Sequence, residues 1–159
     1  MRALTLTQPW AGLVVSGIKR VENRPRAVIR NADLLAGPVT IAIHASRKID
    51  ESVYSAVEQI HPFLMSSPNQ PWYRLSRITS ALIGMVTVWG ARYIDGWSRD
   101  VIETLCANDD IPDQACWMFG PTCYLLRDAV AFADPVPCRG WQGCWTVPDE
   151  AYAQMKLRR

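Results

Sequence analysis

The sequence predicts one α+β domain, a mixed β-barrel with a helix directly after its first strand and further helices at its periphery. Three observations carry that reading. The chain has 159 residues, the length of one ordinary domain. Strand-like and helix-like segments interleave without the regular alternation of a doubly wound parallel sheet. The opening strand-like segment also runs straight into Gln8-Pro9 and then into an apolar stripe at helical spacing. No repeat or break in composition divides the chain, so residues 1–159 read as one unit.

Each element has its own signal. Arg2–Thr7 alternates Leu4 and Leu6 against Ala3, Thr5 and Thr7, as a strand does. Trp10, Leu13 and Val14 form a helical stripe that Gly17 closes. Lys19–Arg24 reads as a second strand broken by Pro25, and the β-branched run Val39–Ala45 as a third. Asp50 caps a helix over Glu51–Ile60, whose inner stripe is Val53, Ala56, Val57 and Ile60. Residues 61–79 hold Pro62, Pro68 and Pro71 and read as an insertion with one helical turn near Trp72–Leu75.

Ala81–Ile94 is the longest strand expected, with Gly84 and Gly90 as bulge points. Ser98 caps a helix through Ala107, Tyr124–Phe132 is a strand, and Asp149–Lys156 is a closing helix. The expected core includes Leu4, Leu6, Leu13, Val14, Ile41, Ile43, Val86, Val88, Leu125 and Trp145.

With 49% hydrophobic and 20% charged residues, the composition is that of a folded globular chain. No stretch approaches the run of about 20 apolar residues that a membrane span needs. Met1-Arg2 leads straight into a strand with no secretory leader, so a cytoplasmic protein is expected. The five cysteines are odd in number and show no CxxC spacing, and His44 and His61 lie far apart. Free thiols and no bound metal are expected from that pattern. No cofactor is expected either, because neither a phosphate-binding glycine loop nor a dinucleotide fingerprint is present.

The net charge of +2 hides a split. Residues 1–48 carry eight Lys/Arg against Glu22 and Asp33, giving +6, while residues 49–159 carry nine against thirteen acids, giving −4. One basic face suited to phosphates follows from such a split, and the acidic stretch 95–134 offers a surface for a protein partner.

Several residues can carry binding chemistry. Lys19 can hold a phosphate, or act as a base if burial lowers its pKa. On a strand Lys19 and Glu22 face opposite ways, unless a bulge or the curve of a barrel rim brings both to one opening. An exposed Lys19–Glu22 pair is the structural alternative, as is a Glu22–Arg24 salt bridge on one strand face. Thr7 and Gln8 stand at a helix N-terminus that suits an anion or an ordinary cap. His44 ends a strand beside Ser46 and Arg47, where it is either structural or a weak candidate acid. Trp141 and Trp145, flanked by Arg139 and Gln142, suit base stacking, with one of the two indoles packed inside. Trp10 shares the stripe of Leu13 and Val14 and reads as core.

Four stretches then stand together: Leu4-Thr5-Leu6-Thr7-Gln8-Pro9-Trp10-Ala11, Gly17-Ile18-Lys19-Arg20-Val21-Glu22-Asn23-Arg24, Ile41-Ala42-Ile43-His44-Ala45-Ser46, and Pro135 through Trp145. In this order the chain resembles the activating signal cointegrator homology (ASCH) domain. The resemblance spans nearly the whole chain and is weakest over residues 49–80 and 95–118. It implies a PUA-like barrel whose cleft is lined by the GxKxxExR block and takes single-stranded RNA or a nucleotide.

The nucleic-acid-binding residues on that reading are Gln8, Lys19, Glu22, Arg24, His44, Ser46, Arg139, Trp141 and Gln142. Some ASCH-like proteins are similar to amidohydrolases of acetylated cytidine, and others are linked to RNA cleavage. If the chain is an enzyme, Lys19 and Glu22 are its catalytic candidates. The amidohydrolase pattern has a Thr three residues after the Lys. Glu22 stands there instead, which removes a hydroxyl and is expected to keep Lys19 charged.

Overall fold

Gln8 ends the first strand and starts the first helix with one side chain. Its Oε1 accepts the Gly12 N–H at 3.0 Å, which satisfies a free donor of the first turn. Its amide nitrogen donates to the carbonyls of Leu75 at 2.8 Å and Ile78 at 2.6 Å, tying that turn to the segment before the fourth strand. Strand β1 (Arg2–Gln8) thus passes into α1 (Trp10–Val15), and Gly17 follows at φ +77°. Next come β2 (Val21–Arg24), β3 (Val39–Ile49), α2 (Glu51–Ile60), α3 (Pro71–Leu75) and β4 (Ala81–Tyr93). The chain finishes with α4 (Arg99–Asn108), a short 3-10 helix (Pro112–Trp117), β5 (Thr122–Pro137), β6 (Cys144–Thr146) and α5 (Asp149–Lys156). The structure is a computed structural model and describes residues 1–29, 33–34, 36–60 and 70–157. The part of the expected insertion over 61–69 lies outside the described residues.

The strands form one mixed sheet in the order β2-β5-β4-β3-β1-β6, in which only β1 and β3 run parallel. The architecture is α+β as expected, but the sheet is not closed into a barrel among the described residues. β6 takes the outer edge of β1 only over Arg2–Leu4. Beyond it the Thr5 carbonyl accepts a hydrogen bond from Arg24 Nη2 at 2.9 Å, so a side chain from β2 bridges the seam.

Three further expectations shift. β5, at 16 residues, is the longest strand and runs through Pro135 and Pro137. Among the described residues, β2 covers its outer edge only over Thr122–Leu125, so the prolines forfeit no ladder bond there. The register of the β4–β5 ladder does shift at Gly84 and Gly90. On α2 the inner side chains are Tyr54 and Val57, while Ala56 is exposed. The Tyr54 hydroxyl turns the helix by bonding the Ser76 carbonyl at 3.0 Å and the Ser76 hydroxyl at 2.9 Å. The side chain of Ile60 lies outside the described residues. β2 begins at Val21 rather than Lys19, because the Lys19 N–H is still bonded to the Leu13 carbonyl at 3.0 Å.

All ten expected core residues are buried. Leu4, Leu6, Val14, Ile41, Ile43, Val86 and Val88 pack around α1, while Leu13 and Leu125 join α2, α3 and α4 in a second cluster. Ala3, Ala42, Leu82 and Trp145 face α5 in a third. Both faces of the central strands are therefore covered. Trp10 is only half-buried, with its ring edge-on to Trp117 at 6.0 Å.

α1 lies so close to β4 that Gly84 has no room for a side chain. A Cβ there would collide with the Val130 carbonyl and lie 2.8 Å from Val15 Cγ1. Gly84→Ala is therefore expected to lower stability by about 2 kcal/mol in denaturant unfolding. An unchanged midpoint would mean that α1 does not sit against β4.

Candidate nucleic-acid interface

Lys19 and Glu22 do share one opening. Lys19 sits in the turn before β2, outside the strand's alternation, and its side chain folds back over the strand. Its Nζ donates to the Val21 carbonyl, lies 3.4 Å from Glu22 Oε2, and stands 5.5 Å from the centre of the Trp10 ring. The other carboxylate oxygen, Oε1, lies 3.0 Å from Arg24 Nε. This is a buried charge group, since Lys19 is 2% and Glu22 7% exposed.

Burial pushes the Lys19 pKa down, and this outweighs the pull of the Glu22 carboxylate in the other direction. Glu22 does favour the charged amine, as the sequence implies, while burial is the larger of the two effects. Trp10, Lys19, Glu22, Asn23 and Phe119 line a pocket of about 240 Å³. Asn23 is spent on the fold, donating to the Trp117 carbonyl at 2.7 Å and accepting the Phe119 N–H at 3.0 Å.

Arg24, the ion-pair partner of Glu22, lines a larger cleft. The cleft has two compartments of about 580 Å³ and 510 Å³ that share Thr5, Ser46 and Gly140. Arg24, Arg26, Thr7, Trp141 and Gln142 line the first, and His44, Arg47, Ser80 and Arg139 line the second. Among the described residues, no carboxylate lines either one.

One hydrogen-bond chain holds the loop that forms the cleft's far wall. Trp145 Nε1 donates to Thr5 Oγ1 at 2.9 Å, and that hydroxyl lies 3.4 Å from His44 Nδ1. The other ring nitrogen, Nε2, is 3.0 Å from the Cys138 carbonyl. A carbonyl only accepts, which assigns the proton to Nε2 and leaves Nδ1 to accept from the Thr5 hydroxyl. Gly140 lies against the ring. A Cβ there would collide with His44 and stand 2.9 Å from Thr5 Oγ1. Trp145 is inside, at 8% exposure, and carries Trp141 outside it, at 45%. Their ring centres are 4.9 Å apart, with the Arg139 guanidinium 5.9 Å from the Trp141 ring.

The charges are sorted just as unevenly. Among the described arginines, only Arg26, Arg47, Arg74 and Arg139 lack a carboxylate within salt-bridge distance. Three of those four line the cleft. A larger concavity of about 830 Å³ between Pro71–Ile78 and Ala131–Pro135 holds only Arg74 of that set. The acidic stretch 95–134 is partly neutralised within the fold, by Arg92 on Asp109, Arg99 on Glu103 and Arg20 on Asp113. Trp97, Val101 and Phe119 are exposed in the same stretch, and Tyr93 just before it.

No protein-family model matches the chain, and no curated protein matches it. Solved structures do. The crystal structure of ASCH from Zymomonas mobilis matches with a TM-score of 0.54 and 16% identity, over 98% of this chain and 93% of that one. Two single-residue mutants of the Zymomonas protein match with TM-scores of 0.53 and 16% identity. They cover 99% and 98% of this chain and 96% of their own. The fold is that of an ASCH domain.

Within the ASCH fold the expected site residues divide into three groups. Arg24, Ser46, Arg139, Trp141 and Gln142 meet in the cleft, with His44 buried in its wall. Lys19 and Glu22 line the smaller pocket beyond Arg24. Gln8 lines neither opening, because it is fully buried and both ends of its amide serve the backbone. Arg26, Arg47, Ser80 and Phe119 also border these openings without having been singled out. The positive charge of residues 1–48 was a signal for the two arginines, whereas nothing local marks Ser80 or Phe119.

All five thiols are free, and burial raises the pKa of each. Among the described residues, no helix is long and apolar enough to cross a membrane.

Burial lowers the His44 pKa below its ordinary 6.5. The unfolded chain therefore takes that proton first as the pH falls, and stability drops through the window below about 6.5. His44→Gln is expected to flatten this part of the stability–pH curve in thermal melts. Parallel curves for the two proteins would sink the assignment of a neutral His44.

Proposed function

We propose that the protein binds single-stranded RNA, with backbone phosphates in the arginine-lined cleft and a base stacked on Trp141. The observation that carries this reading is the cleft's charge. Arg24, Arg26, Arg47 and Arg139 line it without a carboxylate, next to an exposed indole. Guanidinium groups suit phosphate oxygens bidentately, and a base on an aromatic face contributes about 1–3 kcal/mol whatever its identity. Gln142 can hydrogen-bond a base edge beside the stack. The smaller pocket adjoins the cleft through the Glu22–Arg24 pair, and its Trp10 and Phe119 walls suit a second unstacked base, with Glu22 accepting from an exocyclic amine.

The test uses surface residues, because Lys19 and Glu22 are buried together and their removal would perturb folding as well as binding. Trp141→Ala is expected to weaken binding of a short single-stranded RNA about tenfold. Arg26→Ala should lower the slope of log affinity against log salt by about 0.7 for the lost phosphate. Wild-type affinity that does not change with salt would refute the cleft as a phosphate site.

A second reading, hydrolysis in the smaller pocket, is favoured by one observation, the lowered Lys19 pKa. Against it, among the described residues no Ser or Thr lines that pocket to supply the hydroxyl of the amidohydrolase pattern. Acetylcytidine incubated with the protein is expected to release no acetate above a Lys19→Ala control. Clear turnover by chromatography would make this pocket an active site.

A further inference from the structure

We infer that the compartment between Arg47 and Arg139 is a phosphate pocket, so that the shortest ligand the cleft recognises is one nucleotide carrying its phosphate. The inference rests on the cleft being the RNA interface and adds the unit it reads. Neither guanidinium has a carboxylate partner among the described residues, and both border a cavity of about 510 Å³ that Thr5, Ser46 and Ser80 also line. His44 brings no charge of its own to that wall near neutral pH, since its Nδ1 faces the Thr5 hydroxyl as an acceptor and burial disfavours a second proton. The positive potential there comes from the two arginines alone, and a phosphate oxyanion is the ligand whose geometry fits paired guanidinium forks.

Ser80 is the second observation. It borders the pocket at φ 55°, a conformation that an L side chain rarely holds. Its N–H donates to the Ser46 carbonyl at 3.4 Å, and its own carbonyl accepts the Cys138 N–H at 3.2 Å. The residue therefore links Ser46 of β3 to the Cys138 loop. Glycine would adopt this backbone freely, so the serine keeps a strained conformation and gains only its hydroxyl, which is exposed at the pocket. A hydroxyl donor between two arginines completes a phosphate cradle.

The two compartments are close enough to share one nucleotide. Arg139 belongs to the phosphate side and stands 5.9 Å from the Trp141 ring on the base side, with Thr5, Ser46 and Gly140 common to both. A base stacked on Trp141 thus has its own phosphate within reach of Arg139, on the compartment that Arg47 also borders. The phosphate can come from a strand end or from within a strand.

Calorimetric titration of the whole chain with adenosine, adenosine 5′-monophosphate, adenosine 3′-monophosphate and the dinucleoside monophosphate ApA tests this. At least one phosphate-bearing ligand is expected to bind about tenfold or more tightly than adenosine. Ser80→Gly and Arg47→Ala should each narrow that gap and leave adenosine binding unchanged. The melting temperature of Ser80→Gly should not fall, because glycine relieves the strained backbone. A mononucleotide clearly tighter than ApA assigns the pocket to a strand end, and ApA as tight as either mononucleotide assigns it to an internal phosphate.

Adenosine binding as tightly as every phosphate-bearing ligand would overturn the inference. So would a gap that neither variant changes. If a short single-stranded RNA still binds in an Arg26-dependent way in those cases, the RNA reading stands without this pocket. If no RNA binds either, both fall. Nucleotide binding without RNA binding supports the phosphate pocket and removes the RNA reading.

Discussion

The Thr5 carbonyl takes a hydrogen bond from Arg24 while the Thr5 hydroxyl meets both Trp145 and His44. These contacts join β2, β3 and β6 to one residue of β1, and both walls of the cleft follow from them. On one side the bonded Arg24 holds Glu22, and Glu22 holds Lys19. On the other, His44 fixes the Cys138 carbonyl and lies against Gly140, which leads into Trp141. The seam between β2 and β1 is where an open sheet would otherwise leave a polar edge. Closing it with a guanidinium instead of a strand leaves a gap wide enough for a ligand, lined by the groups that do the closing.

The uneven pairing of charges explains why the basic half of the sequence becomes a cleft and not a uniformly basic surface. Arg20, Arg92 and Arg99 are each matched to an acid of the later half. These pairs are partly exposed and each contributes little to stability, on the order of 1 kcal/mol or less. Their larger effect is on the field. They remove positive charge elsewhere, so the unmatched guanidiniums are concentrated around Thr5 and Ser46. A phosphate chain meeting this surface is attracted to one groove.

Much of this fold was legible because local pattern and tertiary demand agree. The apolar alternation of Leu4, Leu6, Ile41 and Ile43 and the stripe of Leu13 and Val14 point to surfaces that the sheet and α1 bury. Asp149–Lys156 carries acids in its first turn and lysine in its last, and it forms a helix over that span. The errors arise where a long-range partner decides. Tyr54 turns α2 through Ser76, and Gln8 is claimed by Leu75 and Ile78, whose positions no local pattern encodes. Pro135 and Pro137 lie beyond the strand expected at Tyr124–Phe132, yet β5 includes them, because among the described residues β2 covers its outer edge only over Thr122–Leu125. Lys19 was placed on a strand because Val21–Arg24 alternates, yet α1 still holds its backbone. That one hydrogen bond turns an expected surface cation into a buried one.

The smaller pocket and the cleft cannot be treated as independent sites, because Arg24 belongs electrostatically to both. In the free protein the Arg24 guanidinium lowers the Lys19 pKa, adding to burial, while Glu22 raises it. An anion bound at Arg24 would cancel part of that positive charge. It would also draw the guanidinium away from Glu22, leaving the carboxylate to Lys19 alone. Both changes favour the protonated amine, since each strengthens the net negative field at Nζ. By linkage, a protonated Lys19 in turn favours the anion, so charge in the pocket and occupancy of the cleft reinforce each other. A filled cleft therefore opposes any role for Lys19 as a neutral base. If the cleft holds an RNA strand as proposed, the same coupling would make Lys19 a better hydrogen-bond donor to a base carbonyl, which favours recognition over catalysis.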